Sequence, residues 1–303
     1  MIHWLLQTAM QHPDLARGVW PQEMLGAAEQ QRVALFRTEK RQREWLLGRW
    51  TAKQLVQQYL EQETGQRAPL DALVIAREPG GAPVVVFDAE AVPMDLPTGA
   101  RWISGASLLG NAELKPDQPV PVVSGMRLPV SLSISHSDDT ALCALYAAAD
   151  GSERAATHAL LNGFPASGEV QVGVDIEQIE ARSAGFAQAY FTAKELGRLA
   201  ETPQEEQALL ATAIWSAKEA VLKALHLGLV VDTRRISCLP ATSSAAAGGW
   251  MLMLLQMDAD LLPEAQRRTS QSVVARPWSL RGWWRYHGRF VLTLAALHVE
   301  VDT

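Results

Sequence analysis

Asp175 and Glu177 stand two residues apart in the run Val170-Gln171-Val172-Gly173-Val174-Asp175-Ile176-Glu177. Val170, Val172 and Val174 alternate with other residues, as in a half-buried β-strand, and a period of two puts both carboxylates on one face. Their Cα atoms would lie roughly 7 Å apart, so one small cation is within reach of both. Like charges held that close in a folded core repel, and a bound cation is the usual remedy. An isolated pair of this kind also fits a strand end whose acids face water. A second group, Glu219 and Lys223, lies four residues apart in Trp215-Ser216-Ala217-Lys218-Glu219-Ala220-Val221-Leu222-Lys223. On a helix the two share a face, which by itself describes a surface ion pair worth a few tenths of a kcal/mol.

The segment that must carry Glu219 reads as a helix over 213–225. Ala, Leu, Lys and Glu dominate it, no Gly or Pro interrupts it, and Gly228 stands where a C-terminal cap belongs. Ile214, Trp215, Leu222 and Leu225 supply an inward face at helical spacing.

In this order and at this separation, Val172-Gly173-Val174-Asp175-Ile176-Glu177 and Trp215-Ser216-Ala217-Lys218-Glu219-Ala220-Val221-Leu222-Lys223 resemble the signature of the 4′-phosphopantetheinyl transferase superfamily, in its larger, surfactin-synthetase-activating type. The resemblance implies an α+β fold of two similar subdomains related by a pseudo-twofold, with the active site in the cleft between them. It also implies transfer of the 4′-phosphopantetheine arm of coenzyme A to a serine of an acyl or peptidyl carrier protein, releasing adenosine 3′,5′-bisphosphate. Asp175, Glu177 and Glu219 would hold Mg²⁺. Glu219 would act as general base, directly or through a bound water, with Lys223 as its catalytic companion. Lys218 and Lys223 would steady the pyrophosphate. The nucleophile would come from the carrier, so the chain needs none of its own.

The bounds agree with such an enzyme. The chain has 303 residues, 48% hydrophobic and 20% charged, which describes a globular protein with a sizeable core. A net charge of −6 argues against bulk electrostatic binding of nucleic acid. Cys143 and Cys238 are the only cysteines, too few for a disulfide framework or a cysteine zinc site. Met1-Ile2-His3-Trp4-Leu5-Leu6-Gln7 lacks the basic lead of a signal peptide, and no apolar run approaches the roughly 20 residues that span a bilayer. The expectation is a reduced, cytoplasmic monomer.

Residues 39–62 read as a long helix rich in Lys40, Arg41, Arg43, Arg49 and Lys53. Lys40 and Arg41 fit a solvated face. Arg49 and Lys53 are spaced i, i+4, which suits a phosphate better than a carboxylate, and the resemblance implies coenzyme A phosphates. Strands over 72–77 and 84–87 flank the turn Glu78-Pro79-Gly80-Gly81-Ala82-Pro83, a hairpin signal. The family usually has lysine where Ala82 stands, so one nucleotide contact is in doubt. Residues 88–129 hold many prolines and little periodicity and read as an insertion. A strand over 131–137 ends in Ser135-His136-Ser137, where the resemblance puts His136 on the nucleotide 3′-phosphate; 140–148 would pair with it.

Residues 150–168 read as a loop or linker, which divides the chain into subdomains 1–168 and 169–303. Thr192 and Glu195 form a capping box, and Thr202-Pro203 opens the helix that carries Glu219. Lys194 and Arg198, with Phe191 exposed or half-exposed beside them, form a candidate docking patch for a carrier. Strands are expected around 249–257, 272–276 and 289–297, with Trp278, Trp283, Trp284 and Tyr286 as core and hairpin packing. Residues 241–249 read as a low-complexity surface loop. Two other classes use the same residues: a non-catalytic scaffold binding coenzyme A or a carrier, and a metal-dependent phosphoesterase. Scaffolding needs no acidic trio, and a phosphoesterase leaves Arg49, Lys53 and His136 unexplained.

Overall fold

The computed structural model describes residues 1–78, 81–88, 94–107, 122–148, 168–245, 249–268 and 277–300. The protein is mixed α and β and divides into two compact units, Met1–Ala156 and Thr157–Thr303. Apart from Gly168, the linker expected over 150–168 lies outside the described residues.

The first unit begins with strand β1 (Ile2–Thr8) and the short helices α1 (Pro13–Ala16) and α2 (Ala27–Val33). Helix α3 (Glu39–Thr64) follows, then strands β2 (Leu73–Arg77), β3 (Pro83–Phe87), β4 (Arg101–Ser107), β5 (Val122–Arg127), β6 (Val130–Ser137) and β7 (Thr140–Ala147). The Thr38 hydroxyl accepts from the Arg41 amide at the start of α3, and Gly65 ends it at φ 72°, a left-handed residue at the stop. Its apolar side, Leu55, Val56, Tyr59 and Leu60, packs with Leu132, Cys143 and Leu145 of the sheet β1-β7-β6. The expected hairpin is present, paired from Leu73↔Phe87 to Arg77↔Pro83.

The segment 88–129 departs from expectation. It contributes β4 and β5, which join β2 and β3 in a closed barrel filled by Val74, Ala76, Val84, Val86 and Val123. Two glycines hide these strands in the sequence. Gly105 and Gly125 take φ 78° and 155°, and the β4–β5 register shifts between Ile103 and Ala106, which breaks the alternation. A Cβ on Gly125 would lie 2.6 Å from the Phe87 carbonyl oxygen.

The second unit contains β8 (Glu169–Gln178), α4 (Ala184–Tyr190), α5 (Ala193–Ala200), α6 (Gln204–Ala224), β9 (Ile236–Ala245), β10 (Met251–Met257), α7 (Leu261–Arg268), β11 (Trp278–His287) and β12 (Phe290–Val299). The sheet order is β8-β12-β11-β10-β9, antiparallel throughout. Residues 241–245, expected as loop, extend β9. The strand expected at 272–276 lies outside the described residues, as do 246–248. The β11–β12 hairpin buries Trp283 and Trp284, while Tyr286 is exposed. Helix α6 stops at Ala224; the first left-handed residue after it is His226 at φ 55°, and Gly228 follows at φ 59°.

Helix α6 lies against β8 and β12 through a stripe of small residues, Ala213, Ala217, Ala220 and Ala224, all in one core with Val291 and Ala295. The closest approach is at Gly173, where an added Cβ would sit 1.9 Å from the Ala220 carbonyl oxygen. Gly173, Asp175 and Glu177 share a face of β8, so this approach sets how near Glu219 comes to both carboxylates. Gly173→Ala should force helix and strand apart, costing about 1–3 kcal/mol. Calorimetry should show Tm falling by several degrees; an unchanged Tm would mean that the crossing is not held at this point.

Candidate active site

Asp175, Glu177 and Glu219 converge. One carboxylate oxygen from each lies within 4.8 Å of the others. Two come from one face of β8 and the third from α6, so strand and helix periodicities jointly build the group. Asp175 is buried and the other two are half-buried. Lys223, one turn after Glu219, donates from Nζ to Asp175 Oδ1 at 2.8 Å and is 30% exposed. Arg182 Nη2 donates to Glu177 Oε2 at 2.9 Å, a contact that no sequence signal announced beyond a cation five residues after the acid.

The electrostatics follow from crowding. Burial, then the Asp175 charge, raises the Glu219 pKa to about 7, with Lys223 opposing. Burial and Asp175 also raise Glu177, with Arg182 opposing. Three hard oxygen donors around one point suit a divalent cation such as Mg²⁺. The residues present fit that ion, and Lys223 supplies positive charge beside Asp175.

The other sequence candidates divide. Lys218 is fully buried and donates to Glu195 Oε2 at 2.9 Å, the Thr233 carbonyl at 2.9 Å and the Ile236 carbonyl. All three ammonium protons are used internally, which leaves none for the pyrophosphate contact expected of it. Lys53 is likewise spent on internal acceptors: buried, it donates to Glu29, the Met24 carbonyl at 2.7 Å and the Leu70 carbonyl at 2.9 Å. Arg49 and Lys53 do share a face of α3, but both meet the Glu29 carboxylate rather than open surface. His136 is exposed at the end of β6, its Nδ1 4.0 Å from Glu44 Oε2. Phe191, expected at the surface, is buried, whereas Lys194 and Arg198 are exposed.

Around Glu29 the structure gathers two cations that the sequence did not reveal, Arg32 of α2 and Arg77 at the end of β2. Arg49 is lowered to about 10, by burial first, with Glu29 opposing and Arg77 and Arg32 adding to the fall. Burial and then Arg77 lower Arg32 as well. Among the described residues, Nε and Nη2 of Arg32 and Nε of Arg49 are buried without a hydrogen bond. Arg32, Arg49, Arg77 and Lys53 thus outnumber the carboxylates that act on them, Glu29 and, on Lys53, Asp71. Arg32 lies one helical turn after Glu29, the one trace in the sequence.

The raised Glu219 pKa has a sign that can be measured in metal-free protein. Between its ordinary value of 4.5 and about 7, the folded chain keeps a proton that the unfolded chain has lost. Stability from this group should therefore fall as pH rises through that window and level off above it. Glu219→Gln should flatten the dependence in urea titrations across the range. A wild-type curve that rises from pH 5 to 7 with no contribution lost on substitution would contradict the crowding.

Comparison with known proteins bears on the same segment. No curated protein matches the chain. Among solved structures, it is similar to the apo-ACPS structure of Chronobacterium ammoniagenes at 18% identity and TM-score 0.32, covering 44% of this chain and 99% of that one. The ACPS–CoA complex of that organism gives 17%, 0.33 and the same coverages. Thermotoga maritima holo-[acyl-carrier-protein] synthase gives 19% and 0.28, covering 42% of this chain and 61% of that one. Residues 171–271, which carry Asp175, Glu177 and Glu219, match the family model of the 4′-phosphopantetheinyl transferase superfamily.

Proposed function

We propose that the protein transfers the 4′-phosphopantetheine arm of coenzyme A to a serine of an acyl or peptidyl carrier protein, with Mg²⁺ as cofactor. The observation that carries this reading is the convergence of Asp175, Glu177 and Glu219 from the two halves of the family signature. The carrier's serine oxygen attacks the phosphorus that bears the pantetheine arm. The bond from that phosphorus to the bridging oxygen breaks, and adenosine 3′,5′-bisphosphate leaves. Glu219, with a pKa of about 7, is suited to accept the serine proton near neutral pH. Lys223, half-exposed beside Asp175, neutralises charge on the pyrophosphate. Mg²⁺, when bound by the three carboxylates, neutralises the pyrophosphate oxygens.

The excess of arginine around Glu29 gives Arg49, with Arg32 and Arg77, a phosphate of coenzyme A to hold. Guanidinium groups match phosphate oxygens in pairs, and buried ones without partners gain most from an anion. His136 takes the 3′-phosphate. On the carrier side, Phe186, Tyr190, Trp215 and Leu229 line a pocket of about 370 Å³. It adjoins the carboxylates, because Arg182 stacks on Phe186 at 5.1 Å while pairing with Glu177. Trp215 lies one turn before Glu219. An apolar side chain next to the modified serine fits there.

Two outcomes test the reading. With coenzyme A, Mg²⁺ and a carrier protein, the carrier should gain the mass of the phosphopantetheine arm, and Asp175→Ala should abolish the gain while circular dichroism stays native. A turnover near wild type in saturating Mg²⁺ would remove the carboxylates from the mechanism; a scaffold or a phosphoesterase would add no mass at all. His136→Ala should weaken binding of coenzyme A more than binding of 3′-dephospho-coenzyme A. Equal losses measured by calorimetry would make the histidine structural.

A further inference from the structure

Lys218 and Glu195 carry a role that the transfer chemistry leaves unassigned. Both side chains are fully buried, and every polar atom of the pair is used. Glu195 Oε1 accepts from the Cys238 amide of β9 at 2.6 Å, and Oε2 accepts from the Thr192 amide at 2.7 Å, which closes the capping box of α5. Lys218 ties the same carboxylate to the carbonyls of Thr233 and Ile236, where the chain enters β9. The Thr233 hydroxyl donates to the Tyr190 carbonyl at 2.8 Å, which adds the end of α4. The ion pair therefore fixes α5 and the entry to β9 against α6, and through Thr233 the end of α4, at the residue immediately before Glu219.

That position matters because Glu219 reaches the cluster from the helix alone. The opposite side of α6 is held at Ala220 against Gly173 and at Ser216, whose hydroxyl lies 2.8 Å from the Thr293 hydroxyl on β12. The helix cannot move toward β8, and the ion pair stops it from turning away. Rotation of α6 by even a fraction of a residue step would carry the Glu219 oxygens out of reach of Asp175.

We infer that Glu195 and Lys218 are positioning residues that hold Glu219 in the metal-binding arrangement through α6, without touching substrate. The inference rests on the metal-dependent reading above. Outer contacts that orient ligands typically change metal affinity by about 10- to 100-fold when removed. The probe is Mn²⁺ alone, followed by electron paramagnetic resonance with no coenzyme A present.

Lys218→Met and Glu195→Gln should each weaken Mn²⁺ binding by about tenfold or more. Lys218→Arg, which keeps charge and donors, should recover part of the loss. A single variant that fails to fold is replaced by the double variant Glu195→Leu with Lys218→Met, since an apolar pair often substitutes for a buried ion pair without loss of stability. Its Cys238 amide and Ile236 carbonyl still lack their partners, so Mn²⁺ should bind weakly even at wild-type Tm. Wild-type Mn²⁺ affinity in a folded variant, with only the Kd for coenzyme A raised, would overturn the inference in favour of a substrate contact. Wild-type protein that binds no Mn²⁺ would overturn the metal reading itself, a result distinct from either.

Discussion

Mutual repulsion among three carboxylates is the constraint on which the second unit depends. Three carboxylates that each bring one oxygen within 4.8 Å of the others repel strongly in a half-buried site without a cation. The protein answers in three ways. Lys223 sits on Asp175, Arg182 sits on Glu177, and Glu219 rises to about 7. The group least compensated is the one on the helix, and its affinity for a proton measures the field that a divalent ion would experience there.

The two units handle buried charge in opposite ways. In the second, Lys218 and Glu195 satisfy each other and the backbone around them, so the pair is closed to any ligand. In the first, Glu29 serves both Lys53 and Arg49, while Arg32 and Arg77 add positive charge beside Arg49. A buried ammonium with three good acceptors is inert, whereas a buried guanidinium with free donors is costly in the absence of an anion. The same residue types thus are fully satisfied in one place and keep unsatisfied donors in the other. Burial alone does not distinguish them; counting donors against acceptors does.

That distinction explains what the sequence could convey. Strand β8 with its two acids, the long helices, the β2–β3 hairpin and the capping box of α5 were legible because each rests on local spacing. The convergence of Asp175 and Glu177 with Glu219 was legible only through the paired motifs, since no local rule links β8 to α6. The burial of Lys53 and Lys218 was not legible because their partners, Glu29 and Glu195, lie 24 and 23 residues away and become neighbours only on folding. Strands β4 and β5 were missed because Gly105 and Gly125 interrupt the alternation on which strand reading depends. Phe191 was misplaced because a capping box fixes the start of a helix but not which way the preceding residue points.

The geometry of α6 also explains why its chemistry needs that particular order of residues. Five positions within nine face different neighbours. Trp215 lines the aromatic pocket, and Lys218 turns into the core toward Glu195. Glu219 meets the β8 acids, and Ala220 admits Gly173 at a distance that a larger strand residue would forbid. Lys223 returns to the Glu219 face one turn later and meets Asp175. Because 3.6 residues make a turn, shifting any one of these by a position would exchange a buried partner for an exposed one. The lysine beside Glu219 is therefore spent on internal acceptors, and the lysine four residues after it is the one that stays partly exposed.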